Sequence, residues 1–121
     1  MRVRVTPALV PSYDNTIQSV VAINIQNRSM VPVYLGNVLL GLIDGRVLLF
    51  PRDSLTGASQ GRRRLDPGEA YMFQMDPAAI FEKIDPAQVR GAGVRDDIDR
   101  AFCAPKGEAT KVLSVLYQLR G

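Results

Sequence analysis

The residues that could do chemistry are few and they cluster. Arg62-Arg63-Arg64 is the densest basic run, and Arg52 lies upstream in the same polar stretch. Consecutive guanidinium groups suit phosphate or an acidic protein surface, because each presents several donors in a fixed planar fork. Phosphate contacts of that kind weaken steeply with salt. No aromatic residue is interleaved with the run, which argues against stacking on single-stranded bases. The plainer reading is a solvated loop whose charges keep a neighbouring strand edge from aggregating. Asp96-Asp97-Ile98-Asp99 is the densest acidic run and has the ligand type for a hard cation such as calcium. It lacks the glycine and distal glutamate of a calcium loop, so a turn is the preferred reading.

Nucleophilic chemistry is poorly supplied. The chain has no histidine and one cysteine, Cys103, which removes Ser-His-Asp and Cys-His systems and the usual zinc ligand sets. Cys103 sits in Ala101-Phe102-Cys103-Ala104, an apolar context that predicts a small buried core residue. No phosphate-binding GxxxxGK[ST] is present, and no spacing singles out two carboxylates for glycoside chemistry. The expectation is therefore no catalytic residue, no metal site and no cofactor. The sole candidate binding residues are Arg52, Arg62, Arg63 and Arg64.

Length and composition place these residues on one domain. The 121 residues are 46% hydrophobic and 22% charged, enough to bury a single core without staples. No apolar run is long enough to cross a bilayer. The opening MRVRVTPALV alternates Arg with Val, where a signal peptide would carry a continuous apolar stretch. Export by the general secretory route is therefore not expected. The formal charge of +3 is uneven: residues 1–64 hold eight Arg against Asp14, Asp44 and Asp53, and the remainder is net acidic. Such a split allows docking on a larger surface or on a second copy, with random variation of the surface as the equal alternative.

The elements that must position the arginines read as β-structure organised around Val20 to Phe50. Val21, Ile23 and Ile25 alternate with Ala22, Asn24 and Gln26, the period of a strand with one buried face. Val31, Val33 and Leu35 repeat the pattern, and Val38, Leu40 and Leu42 resume it after a predicted bulge at Gly36-Asn37. The stretch reads as strands folded back on one another, with Asp44-Gly45 as a two-residue hairpin turn. Leu39 and Ile43 break the polar alternation, so either both faces are covered there or the strand meets a partner. Met1 to Pro11 reads as an edge strand interrupted by Pro7 and Pro11. Residues 51–64 read as an exposed loop.

Farther on, Leu65-Asp66-Pro67-Gly68-Glu69 predicts a tight turn into a strand over residues 70–75, with Tyr71, Phe73 and Met75 on one face. Asp76-Pro77 predicts a short helix over residues 76–84. Val89 to Arg95 reads as a strand weakened by Gly91 and Gly93, and Arg100 to Ala104 as its return. Residues 108–119 favour a helix, with Val112, Leu116 and Leu119 on one face, against a competing alternating strand.

Three pieces carry a resemblance: VVAINIQNRS over residues 20–29, LDPGEAYMF over 65–73, and VRDDIDRAF over 94–102. The second is similar to the L-x-P-G-E entry into a strand, and the third to a V-x-D-x-x-G-R-x-F hairpin with Asp99 in place of the glycine. Together they resemble an immunoglobulin-like β-sandwich, without the Cys and Trp framework of antibody domains. Domains of this kind occur in tailed-phage virion accessory proteins. The resemblance implies an all-β antiparallel sandwich, an architecture that does not fix function; the expected function is that of a non-enzymatic structural protein, such as a capsid-decorating or head–tail component. Its partners would be proteins of the virion or further copies of itself, it would be made in the host cytoplasm, and no membrane would be involved. The alternative is a cytoplasmic bacterial module that binds nucleic acid or an acidic partner through Arg62 to Arg64. A third class, a metal-assisted enzyme, would place a cation at Asp96, Asp97 and Asp99.

Overall fold

The computed structural model describes residues 1–11, 16–50, 63–98 and 100–119. Their strands form two antiparallel layers. Strands β1 (Arg2–Pro11), β2 (Ile17–Gln26) and β6 (Ala70–Met75) make the first sheet in the order β1-β2-β6. The second sheet runs β4 (Val47–Phe50), β3 (Val33–Leu42), β7 (Val89–Asp96), β8 (Ala101–Cys103), and β5 (Arg63–Leu65) joins β3 beside β4. Helices α1 (Pro77–Phe81) and α2 (Glu108–Leu119) follow β6 and β8. The expected all-β sandwich with a short helix near residues 76–84 and a C-terminal helix is the observed architecture.

Alternation explains the core. Val3, Val5, Val21, Ile23, Ile25, Phe73 and Met75 point from the first sheet onto Leu35, Val38, Leu40, Leu42, Leu65 and Val94 of the second. Helix α2 adds Ala109, Val112, Leu113 and Leu116. Twelve residues are marginal as an isolated helix. Burying a side chain such as Leu113 contributes about 1.5–3 kcal/mol, so tertiary packing decides helix over the competing strand. Asp76 accepts the Ala78 N–H at 3.0 Å and Pro77 fills the first position of α1, as the sequence predicts. Asp85 and Gln88 cap a single 3₁₀ turn, Pro86–Gln88, in the same way.

Several local expectations are corrected. β2 and β3 do not fold back on each other: the chain leaves the first sheet after Gln26 and enters the second at Val33. The β3–β4 hairpin turns on three residues, 43–45, not two, because Leu42 N–H still donates to Arg46 C=O at 2.8 Å. Gly45 N–H closes a turn on Leu42 C=O at 3.0 Å, with Gly45 at φ +90°. A turn followed by a left-handed glycine bulge gives this geometry. β1 runs through Pro7 without a break. Val5 N–H points away from β2, to Glu108, so Pro7, two residues on, lacks its N–H on the open edge where no ladder bond is lost.

The bulge at Gly36-Asn37 is present as a register shift between Leu35 and Val38. Cys103 is exposed and not buried. It lies on edge strand β8 opposite Gly93, where Phe102, paired with Val94, takes the inward direction.

Candidate functional site

Of the arginine run, Arg63 and Arg64 face opposite ways. Arg52 and Arg62 lie outside the described residues. Arg63 and Arg64 belong to strand β5 and not to an exposed loop, pairing with Leu35 and Tyr34. Successive residues of a strand face opposite ways. Arg63 turns toward the first sheet, its guanidinium carbon 4.0 Å from the centre of the Tyr71 ring. Arg64 turns outward and its Nε meets Asp66 Oδ1 at 2.7 Å. The first contact ties β5 to β6 across the open side of the sandwich, and the second braces the turn between them. Gly68, at φ +81°, supplies the left-handed residue of that turn, and Glu69 N–H donates to Asp66 C=O at 2.9 Å.

The acidic run is also occupied by structure. Asp96 is buried, and its carboxylate accepts three bonds: Ile98 N–H at 3.1 Å, Arg100 N–H at 2.7 Å and Arg100 Nε at 2.7 Å. Burial pushes this carboxyl up, but the backbone and guanidinium donors of Arg100, with Ile98 N–H, outweigh it and hold it below the ordinary carboxylate range. Asp97 N–H donates to Tyr34 C=O at 3.0 Å, and Asp99 lies outside the described residues. Asp96 thus ties the β7–β8 turn together. Among the described residues no group of three or more His, Cys, Asp or Glu could hold a metal ion.

Asn27, directly after β2, is a buried polar hub. It is 0% exposed. Its Nδ2 donates to Val31 C=O and Leu65 C=O, both at 2.9 Å, and its Oδ1 accepts Ser29 N–H at 3.0 Å and Ser29 Oγ at 2.7 Å. Its backbone N–H donates to Glu69 C=O and its C=O accepts Gly68 N–H. All four side-chain valences are filled, so the crossover between sheets is locked to the β5–β6 turn.

Helix α2 closes the opposite side. Glu108 accepts from Arg4 Nε at 2.8 Å and from Val5 N–H at 3.1 Å, while Thr110 Oγ1 donates to Val89 C=O at 2.7 Å. One helix therefore grips the edges of both sheets. Partial burial raises Glu108, and the Arg4 guanidinium and Val5 N–H more than reverse that, leaving it below its usual value. Phe81 and Tyr117 meet edge to face at 5.1 Å, joining the two helices.

What stays open is the outer face of the second sheet. Leu49, Leu39, Gly93 and Cys103 form one row across it, and Val47, Gly41 and Gly91 form the next. Leu49 is 50% exposed, and Leu39 is nearly covered between its neighbours. Gly41 and Gly91 leave a groove of about 500 Å³, with Leu39 and Cys103 on its lining and Arg90 and Lys106 at its border. Among the described residues neither cation has a carboxylate partner. The sequence hinted at this face through Leu39, which breaks the alternation, but could not join it to β4, β7 and β8 without the register. No helix among the described residues is long and apolar enough to cross a membrane. No family model matches the chain, and no curated protein or solved structure matches it either.

Proposed function

We propose that this protein is a non-enzymatic docking component of a larger assembly, which it meets through the outer face of the second sheet. The observation that carries the reading is the groove lined by Leu39, Gly41, Gly91 and Cys103, whose lining cations Arg90 and Lys106 have no carboxylate partner among the described residues, with half-exposed Leu49 beside Leu39 in the same row. Apolar surface of this kind gains by leaving water, and Arg90 with Lys106 selects a partner with acidic residues beside its apolar ones. The setting we propose is a tailed-phage virion, with the protein as a capsid-decorating or head–tail accessory. Support comes from the strand order: β1-β2-β6 facing β4-β3-β7-β8 corresponds to strands A, B, E and C′, C, F, G of an immunoglobulin-like sandwich.

The test is size fractionation of extracts from cells that make the protein in its native setting. The wild-type chain is expected with a large particle. The double variant Leu49→Asp, Arg90→Glu is expected at the position of the free 13.3 kDa chain. Both positions are on the surface, so circular dichroism of the variant should match wild type. A wild-type chain found only as the free species sinks the reading.

A further inference from the structure

The two edges of the first sheet are built differently. On β1, Pro7 and Pro11 have no N–H, Val5 N–H is taken by Glu108, and Arg2 and Arg4 add charge. Proline, charge and shortness are the usual means of keeping a strand edge from pairing. The edge strands of the second sheet, β4, β5 and β8, are short, at four, three and three residues. β6, the other edge of the first sheet, reads AYMFQM over six residues, with neither proline nor charge.

Asn27 N–H donates to Glu69 C=O at 3.0 Å, which fixes the phase of the β2–β6 ladder. Opposed residues of an antiparallel pair alternate between exchanging bonds and not. Ile25 with Tyr71 and Ile23 with Phe73 therefore exchange bonds, and the N–H and C=O of Ala70 and Met72 turn to the open edge. Arg63 stands over the same edge, its guanidinium stacked on the Tyr71 ring. Stacking uses the flat face of the guanidinium and leaves its in-plane N–H groups to donate. Among the described residues Arg63 has no carboxylate partner.

We infer that β6 takes an extended segment of another protein as an added strand, with an aspartate or glutamate opposite Tyr71. Main-chain donors and acceptors repeated along an edge are complementary to a further strand. The residue opposite Tyr71 shares its inward face, with Cβ atoms about 4.5–5.5 Å apart, so a carboxylate there lies beside the ring that Arg63 covers. A second copy of this chain does not supply that acid. The edge strands β1, β4, β5, β6 and β8 contain no Asp or Glu. Two β6 strands side by side would instead bring two copies of Arg63 to one face. The inference is independent of the groove on the second sheet.

Selection of short random peptides from a display library on the immobilised chain, followed by hydrogen exchange with the synthesised peptides, tests it. Enriched peptides should carry one Asp or Glu among β-branched residues. Exchange at the Ala70 and Met72 amides should slow about tenfold or more on binding, while Tyr71 and Phe73 are slow already. Changing the peptide's acid to its amide should weaken binding about three- to fivefold, and Arg63→Gln should erase that difference. Met72→Pro removes an edge N–H without costing a ladder bond, as Pro7 does on β1, and should abolish binding with an unchanged circular dichroism spectrum. Methylating alternate peptide nitrogens should do the same against the wild-type chain. The variant Leu49→Asp, Arg90→Glu should bind the peptides as wild type does. A library that yields no peptide overturns the inference, as do peptides that leave Ala70 and Met72 exchange unchanged or bind equally as acid and amide. Binding lost in the Leu49→Asp, Arg90→Glu variant also overturns it, by placing the contact in the groove.

Discussion

Replacing Asn27 is the sharpest test of how this fold is held. Asn27→Ala removes four side-chain hydrogen bonds from a site with no solvent access. The loss is not uniform. Val31 C=O can take the Ser29 hydroxyl, 2.9 Å away, whose single proton no longer goes to Asn27 Oδ1. Leu65 C=O, inside the protein, loses the Asn27 amide donor. A buried polar group left without a partner costs about 1–3 kcal/mol, and the vacated volume adds to that. A destabilisation of about 3 kcal/mol is expected, a large share of the roughly 5–15 kcal/mol that holds a domain of this size.

Asn27→Asp should be worse at neutral pH. It keeps the acceptor but sets a carboxylate oxygen where the amide nitrogen stood, 2.9 Å from two carbonyl oxygens. Burial and those carbonyls favour the protonated form, so the folded-state value of the introduced acid rises above its unfolded value. The penalty is then greatest at pH above the folded value and shrinks as pH falls through it, when the acid regains one donor. Urea unfolding followed by far-ultraviolet circular dichroism reads all of this, since the chain has no tryptophan. Asn24→Ala is the control: that amide bonds to Thr6 Oγ1 near the surface at 3.1 Å and should cost less than about 0.5 kcal/mol. A loss below about 1 kcal/mol for Asn27→Ala would refute the hub.

Three further outcomes are expected. Gly93→Ala would place a Cβ 2.4 Å from Phe102 O, so β8 must shift; hydrogen exchange in β8 should accelerate and stability should fall by about 1–3 kcal/mol. Gly91→Ala meets nothing within 4 Å and should leave exchange in β8 unchanged. Asp96 and Glu108 both have folded values below their ordinary ones, so their contribution is complete above the unfolded carboxylate range and is lost as pH falls through the folded values. Melting temperature should therefore decline progressively below about pH 5, and Asp96→Asn should flatten that decline while lowering stability at pH 7. If Arg62, Arg63 and Arg64 formed a nucleic-acid site, fluorescence anisotropy with a short duplex would show binding that weakens steeply with salt. With Arg63 stacked on Tyr71 and Arg64 on Asp66, no such binding is expected at 150 mM salt.

How much was legible follows from which signals are local. The turn at Asp66-Pro67-Gly68-Glu69 and the cap at Asp76-Pro77 depend on neighbours in sequence, and both were read from it; helix α2 was favoured on propensity, while packing decides it. The face of β6 carrying Phe73 and Met75 was legible too, because alternation needs only one strand. The errors share another cause. Pro7 looked like a strand end because a sequence does not reveal which edge an N–H faces. Cys103 looked buried because its apolar neighbours do not reveal that β8 is an edge. Arg63 and Arg64 looked like loop residues because three residues of strand carry almost no periodic signal, and β3 organises them from outside.

The same distinction bears on where function lies. The side of the sandwich toward β5 and β6 is held by Arg63 on Tyr71 and by the Asn27 hub. The side toward β1 and β7 is held by α2 through Glu108 and Thr110. The turn between β7 and β8 is tied by Asp96. Each device uses polar or charged residues, and the two among them that the sequence offered for chemistry, Arg63 and Asp96, are already engaged within the chain. Among the described residues the groove of the second sheet has no such device. Half-exposed Leu49 beside the groove would gain by leaving water, and contact with another protein surface supplies that gain. An acidic variant at Leu49 tests this: it should raise solubility while abolishing docking, whereas a merely tolerated leucine would change solubility alone.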